Sequence, residues 1–150
     1  MTLHRRVRKN LRRNMDSKSK YASLDTSFIL RFILLDNQTQ LIRAKEILIN
    51  GGEYYVDDVA IMECIYVMTK NGFSRKEMIG DIRDFLSNPS IHYYKDFFDP
   101  IFQDYISHPS LSFDDLVLAA RVEENGYTPL YTFDQKFARQ SKVAKLVPVK

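Results

Sequence analysis

The feature that most narrows the fold of this chain is an alternation of short strand-like runs with longer helical ones. Tyr21-Ala22-Ser23-Leu24 reads as a strand, and a helix follows through Phe28, Ile29 and Leu30 to Leu35. Leu41, Ala44, Ile47 and Leu48 give residues 38–49 helical spacing, and Asn50-Gly51-Gly52 stops them. Residues 53–56 form the next strand, after which Asp57 or Asp58 caps a helix running to Asn71-Gly72. Ser74 with Glu77 makes a capping box for a helix ending before Pro89. Residues 91–94 are predicted as a strand and 95–107 as a helix, and Ser112 with Asp115 opens a helix ending at Asn125-Gly126. Residues 129–132 and 144–147 are the last strands, around a short helix after Asp134. Parallel strands need long crossovers, so the pattern predicts an α/β three-layer sandwich, a parallel sheet of four to five strands with helices on both faces. Such sheets place ligands at the carboxyl ends of their strands.

The charge is unevenly spread along the 150 residues. Residues 1–20 carry eight Lys or Arg against one acid, Asp16, while the rest carries 14 bases and 18 acids. A mildly acidic domain over 21–150 therefore bears a basic arm over 1–20, suited to contact with a polyanion or a membrane surface. Leu3, Val7, Leu11 and Met15 give the arm a thin amphipathic stripe, a chemistry shared with mitochondrial presequences. Met15 is a second candidate start. A single cysteine, Cys64, excludes a disulfide framework and a cysteine metal site, and the histidines His4, His92 and His108 do not cluster. No apolar run reaches the ~18 residues a membrane span requires, and no apolar segment follows the basic start as in a secretory signal. The expected compartment is the cytoplasm, with no membrane partner.

Four carboxylates stand out. Asp25 follows the first strand and precedes a helix. Asp134 follows the Pro129–Thr132 run and does the same. Either could be a plain helix cap. Glu63 is the lone charge in Val59-Ala60-Ile61-Met62-Glu63-Cys64-Ile65-Tyr66-Val67-Met68, and its helical neighbours Val59, Ala60, Tyr66 and Val67 put it on an apolar face. It needs a salt-bridge partner or a cleft. Asp115 could serve Ser112 as a capping box, yet Leu118 and Ala119 share its face, so its carboxylate is expected on the core side, with Asp114 solvated. Separate caps predict no convergence, whereas the architecture gathers three of these acids at one sheet edge. Clustered carboxylates repel, and a divalent cation with all-oxygen ligands, Mg²⁺ or Mn²⁺, relieves this. Phosphodiester hydrolysis is the chemistry that uses such a pocket.

Three segments carry a resemblance: LDTSFILRFILLD at 24–36, YYVDDVAIMECIYVM at 54–68 and SFDDLVLAARVEENGYTPLYTFDQKFAR at 112–139. Together they resemble a PIN domain, and more narrowly a VapC-type toxin of a toxin–antitoxin pair. The resemblance implies an Mg²⁺- or Mn²⁺-dependent endoribonuclease with Asp25, Glu63, Asp115 and Asp134 as catalytic and metal-binding residues. Asp25 and Asp115 would touch metal directly, Glu63 would bind metal or orient the attacking water, and Asp134 would complete the pocket. Ser27 and Thr132 are candidates to hydrogen-bond water or phosphate. The implied partners are RNA, a small antitoxin protein and a second copy in a homodimer.

The main rival is a catalytically silent PIN-like module that only binds RNA or protein. A receiver domain would want its mid-chain acid at a strand end, not inside a helical run. An Asp-x-Asp phosphatase fails because residue 27 is Ser.

Overall fold

The computed structural model describes residues 20–149, so the basic arm, except Lys20, lies outside the described residues. The elements in chain order are β1 (Tyr21–Leu24), α1 (Thr26–Leu34), α2 (Gln38–Ile49), β2 (Glu53–Val56), α3 (Asp58–Lys70) and α4 (Arg75–Leu86). They continue with β3 (Ile91–His92), α5 (Lys95–Ser107), α6 (Phe113–Asn125), β4 (Leu130–Thr132), α7 (Gln135–Gln140) and β5 (Ala144–Leu146).

Most boundaries follow from local chemistry. Asp25, Asn37, Asp57, Ser74, Ser112 and Asp134 each accept a backbone N–H from the helix they open, satisfying donors that have no partner within the helix. Ser74 and Glu77 form the reciprocal capping box. At the end of α6, Gly126 takes φ 70°, where a side chain would be strained, and the Tyr127 N–H returns to the Val122 carbonyl at 3.0 Å. The third strand is shorter than its sequence suggests: the Lys95 N–H donates to the Tyr93 carbonyl at 2.8 Å, and this turn ends β3 at His92.

All strand pairs are parallel, but the five strands form two sheets instead of one. The first has order β1-β2-β3 and the second pairs β4 with β5. Strand content was legible from residue types, whereas neighbours were not. β4 has three residues behind Pro129, which has no N–H to offer a ladder, and its ladder is spent on β5.

The core lies against one face of the first sheet. Leu24, Tyr54, Val56 and Ile91 are buried there with side chains from α1, α3, α4, α5 and α6. The opposite face carries half-buried Tyr21, Glu53, Tyr55 and His92, with His92 hydrogen-bonded to Glu53 and edge-on to Tyr21 at 5.1 Å. Phe98 and Phe102, both 0% exposed, lie 6.4 and 6.1 Å from the Phe113 ring and bind α5 to α6. Among the described residues no helix is long and apolar enough to cross a membrane.

Phe98→Ala should lower folding stability by about 3–5 kcal/mol through lost burial and an unfilled cavity. Urea unfolding of the variant beside the parent checks this, with a fall under ~1 kcal/mol contradicting the packing described.

Candidate active site

The register of β1 on β2 sets Leu24 opposite Val56, so Asp25 and Asp57 both leave the sheet at its carboxyl edge. Both become helix caps. Asp25 Oδ1 accepts the Phe28 N–H at 3.0 Å and the Ser27 hydroxyl at 2.9 Å. Asp57 Oδ1 accepts the Val59 N–H at 3.0 Å. The Phe28 N–H, followed by the Ser27 hydroxyl, holds the Asp25 carboxyl below the usual aspartate range, so it is ionised at neutral pH.

Glu63 stands one helix away on α3. Its Oε2 accepts the Thr26 hydroxyl at 2.5 Å, which ties the amino terminus of α1 to α3. Cys64 links the two acids electrostatically. Its thiol is 1% exposed and is pushed up to about 12, first by burial, then by the charges of Glu63 and Asp25. Both carboxylates therefore act on one thiol, which stays protonated and is neither nucleophile nor ligand at neutral pH. The sequence placed Glu63 on a buried apolar face, and the structure corrects this. The buried face of α3 is Ala60, Ile61, Cys64, Ile65 and Met68, while Glu63 is exposed between Val59 and Tyr66, 59% and 63% exposed. The wide apolar run hid which side the core takes.

Asp115 occupies the third position of α6 and is half-buried. Its N–H donates to Ser112 Oγ at 3.1 Å, and its carboxylate takes no hydrogen bond among the described residues. Asp114 is exposed, as expected, but Leu118 is 47% exposed, so the Asp115 face opens towards solvent and not the core. Asp134 is exposed at the start of α7, accepting the Phe137 N–H at 2.9 Å while its own N–H donates to Thr132 Oγ1 at 3.0 Å. The two candidate hydroxyls thus serve their neighbouring aspartates, Ser27 on Asp25 and Thr132 on Asp134.

The structure brings Asp25 and Glu63 together. Asp115 is tied to them through the packing of α6 on α3, and Asp134 opens from the second sheet. Among the described residues, no three His, Cys, Asp or Glu side chains group closely enough to hold a metal ion. Two supporting contacts were not legible in the sequence. Thr26 reaches an acid 37 residues away. Arg121 on α6 pairs with Asp58 at the start of α3, and with Glu124 at 3.3 Å, its guanidinium lying 4.2 Å from the Phe97 ring centroid. Only tertiary packing pairs Thr26 with Glu63 and Arg121 with Asp58, so no local pattern announced those two contacts.

The family model described as PIN domain matches residues 22–143 of the chain. A search of curated proteins returned no match.

Because folding depresses the Asp25 pKa, the ionised carboxylate contributes stability that is full above its unfolded value near 3.8 and is lost as pH falls through the lower folded value. Asp25→Asn keeps an acceptor for the cap but loses the charge. It should be slightly less stable than the parent at pH 7, and the gap should close in strong acid. Urea melts across pH check this, and a gap that widens in acid would reverse the sign.

Proposed function

The chain belongs to the PIN domain family, and from that premise we propose that it is a metal-dependent endoribonuclease whose pocket is formed by Asp25, Glu63, Asp115 and Asp134. The carrying observation is the pairing of Asp25 and Glu63, two exposed carboxylates oriented by Ser27, Thr26 and a helix amino terminus at the carboxyl edge of a parallel sheet. Plain caps would not need a second acid drawn in by a hydroxyl from the next helix.

The donor chemistry is that of a hard divalent cation such as Mg²⁺ or Mn²⁺, although among the described residues no three of the acids group closely enough in this structure to hold one. The acids offer carboxylate oxygens only, and the nearby thiol is protonated. Asp25 and Asp115 would hold the ion, with Asp134 completing the pocket. When bound, the ion would activate water and offset charge on the phosphoryl oxygens. Asp25 is already ionised and fixed in orientation by the Ser27 hydroxyl and the Phe28 N–H. Glu63 has one oxygen on Thr26, which leaves the other to orient the attacking water. Arg121 anchors the start of α3 to α6, holding the helices that carry Glu63 and Asp115 against each other.

Within the family the chain reads as a VapC-type toxin, on the three motif segments at 24–36, 54–68 and 112–139. An antitoxin would mask the acids, presenting an Arg to them. Exposed Leu35, Ile42, Val59 and Tyr66 on α1 to α3 and their connections offer an apolar surface for a homodimer or that partner. The lone reduced cysteine fits action in the cytoplasm.

RNA cleavage should require Mg²⁺ or Mn²⁺ and stop in EDTA. Asp25→Asn, Glu63→Gln and Asp115→Asn should each lower it about 100-fold or more, with Asp134→Asn the mildest. Metal should also raise the melting temperature of the parent, since it binds only the folded pocket. A parent that binds RNA but never cuts it, with metal present, would establish the silent binding module instead. Light scattering at micromolar concentration should give the mass of a dimer, and a monodisperse monomer would remove that claim.

A further inference from the structure

The second sheet presents a surface that the acid pocket does not use. Tyr131 is 65% exposed and Phe133, one residue past β4, is 71% exposed. Tyr131 stands on the open side of β4 between half-buried Leu130 and Thr132, and Phe133 is exposed in the bend that follows the strand. In the parallel register Tyr131 lies beside Lys145 of β5, which is also exposed, and partners in register share a face. A large aromatic ring left in water forfeits the burial that makes it useful in a core. Two in a three-residue interval, beside a lysine, form a binding surface.

The charge around them says what binds. Residues 126–150 hold five Lys or Arg and one acid, Asp134, whereas residues 21–125 hold nine bases and seventeen acids. The aromatic pair therefore belongs to the basic stretch of an otherwise acidic sequence, with Lys145 beside Tyr131 in the sheet. Lysine is depleted from the centres of protein–protein interfaces, while rings interleaved with cations are the arrangement that takes unpaired nucleobases and their phosphates. A duplex keeps its bases stacked inside and offers nothing to these rings.

We propose that the open face of the β4–β5 sheet is a stacking platform for single-stranded RNA, with Tyr131 and Phe133 beneath two bases and Lys145 on the adjoining phosphate. Phe133 immediately precedes Asp134, so the platform would lead the strand to the acid pocket and restrict the substrate to unpaired RNA. The identity of the polymer rests on the nuclease reading; the stacking surface is tested without cleavage.

The test is fluorescence anisotropy of a labelled short oligouridine on the full chain in EDTA, where the RNA stays intact, with the oligouridine–oligoadenosine duplex as comparison. Tyr131→Ala and Phe133→Ala should each weaken single-strand binding roughly 5- to 100-fold and leave duplex binding unchanged. Tyr131→Phe and Phe133→Tyr keep a stacking ring and should retain parent affinity. Lys145→Ala should flatten the salt dependence of log affinity by about 0.7. Parent-like affinity in both alanine variants overturns the proposal, as does a parent with no affinity for oligouridine. Sedimentation showing a dimeric parent and monomeric alanine variants also overturns it, assigning the face to a second copy. Cleavage by the parent in Mn²⁺ is read in parallel. Absent cleavage with ring-dependent binding fails the nuclease reading alone, and cleavage with ring-independent binding fails the platform alone.

Discussion

The parallel pairing of β1 with β2 is the constraint on which the site depends. Leu24 and Val56 are buried side by side at the ends of the two strands, so the chain leaves the sheet twice at the same edge. Each exit needs a residue able to satisfy the first N–H groups of a helix, and aspartate does so while bringing a charge. Asp25 and Asp57 are therefore partly structural before they are anything else. Thr26 then adds a second acid to the sheet edge, because its hydroxyl holds Glu63 on α3 at the start of α1. A slip of one residue between the strands would turn Leu24 off the core face and separate these groups together.

Collecting acids in this way has an electrostatic cost, which the surroundings offset with dipoles more than with cations. Asp25 is held ionised by an N–H and a hydroxyl, and Glu63 accepts a hydroxyl, with no Lys or Arg paired to either among the described residues. Arg121, on the helix that carries Asp115, is committed to Asp58 and Glu124 on a bed of Phe97. That division leaves Asp25 and Glu63 without a cationic partner among the described residues, while an ion pair joins α3 to α6. The buried Cys64 thiol registers the result, with its acidity suppressed by both neighbouring charges as well as by burial.

Charge is separated on a larger scale too. The acids concentrate between residues 21 and 125, and the arm and the last 25 residues each carry an excess of bases. An anionic polymer would be repelled by the first region and attracted by the others.

The sequence by itself determined the local structure. The periods of apolar residues, the caps and the glycine stops located the seven helices and five strands of the described residues, because those signals act over four or five residues. It also marked Asp25, Glu63, Asp115 and Asp134 as acids in unusual places, and the match of the PIN domain model supports the family that their pattern resembled. What it could not determine were relations between distant segments. Residue types announce a strand but not its neighbour, so the split into three and two strands appeared only in the fold. The run around Glu63 is apolar on nearly every side, and only packing against the sheet chose the Ala60–Cys64–Met68 face and left Glu63 and Tyr66 outside. Thr26 with Glu63 and Asp58 with Arg121 are joined across 37 and 63 residues respectively. Such pairs are set by how helices come to rest on the sheet, which a single chain's local preferences do not encode residue by residue.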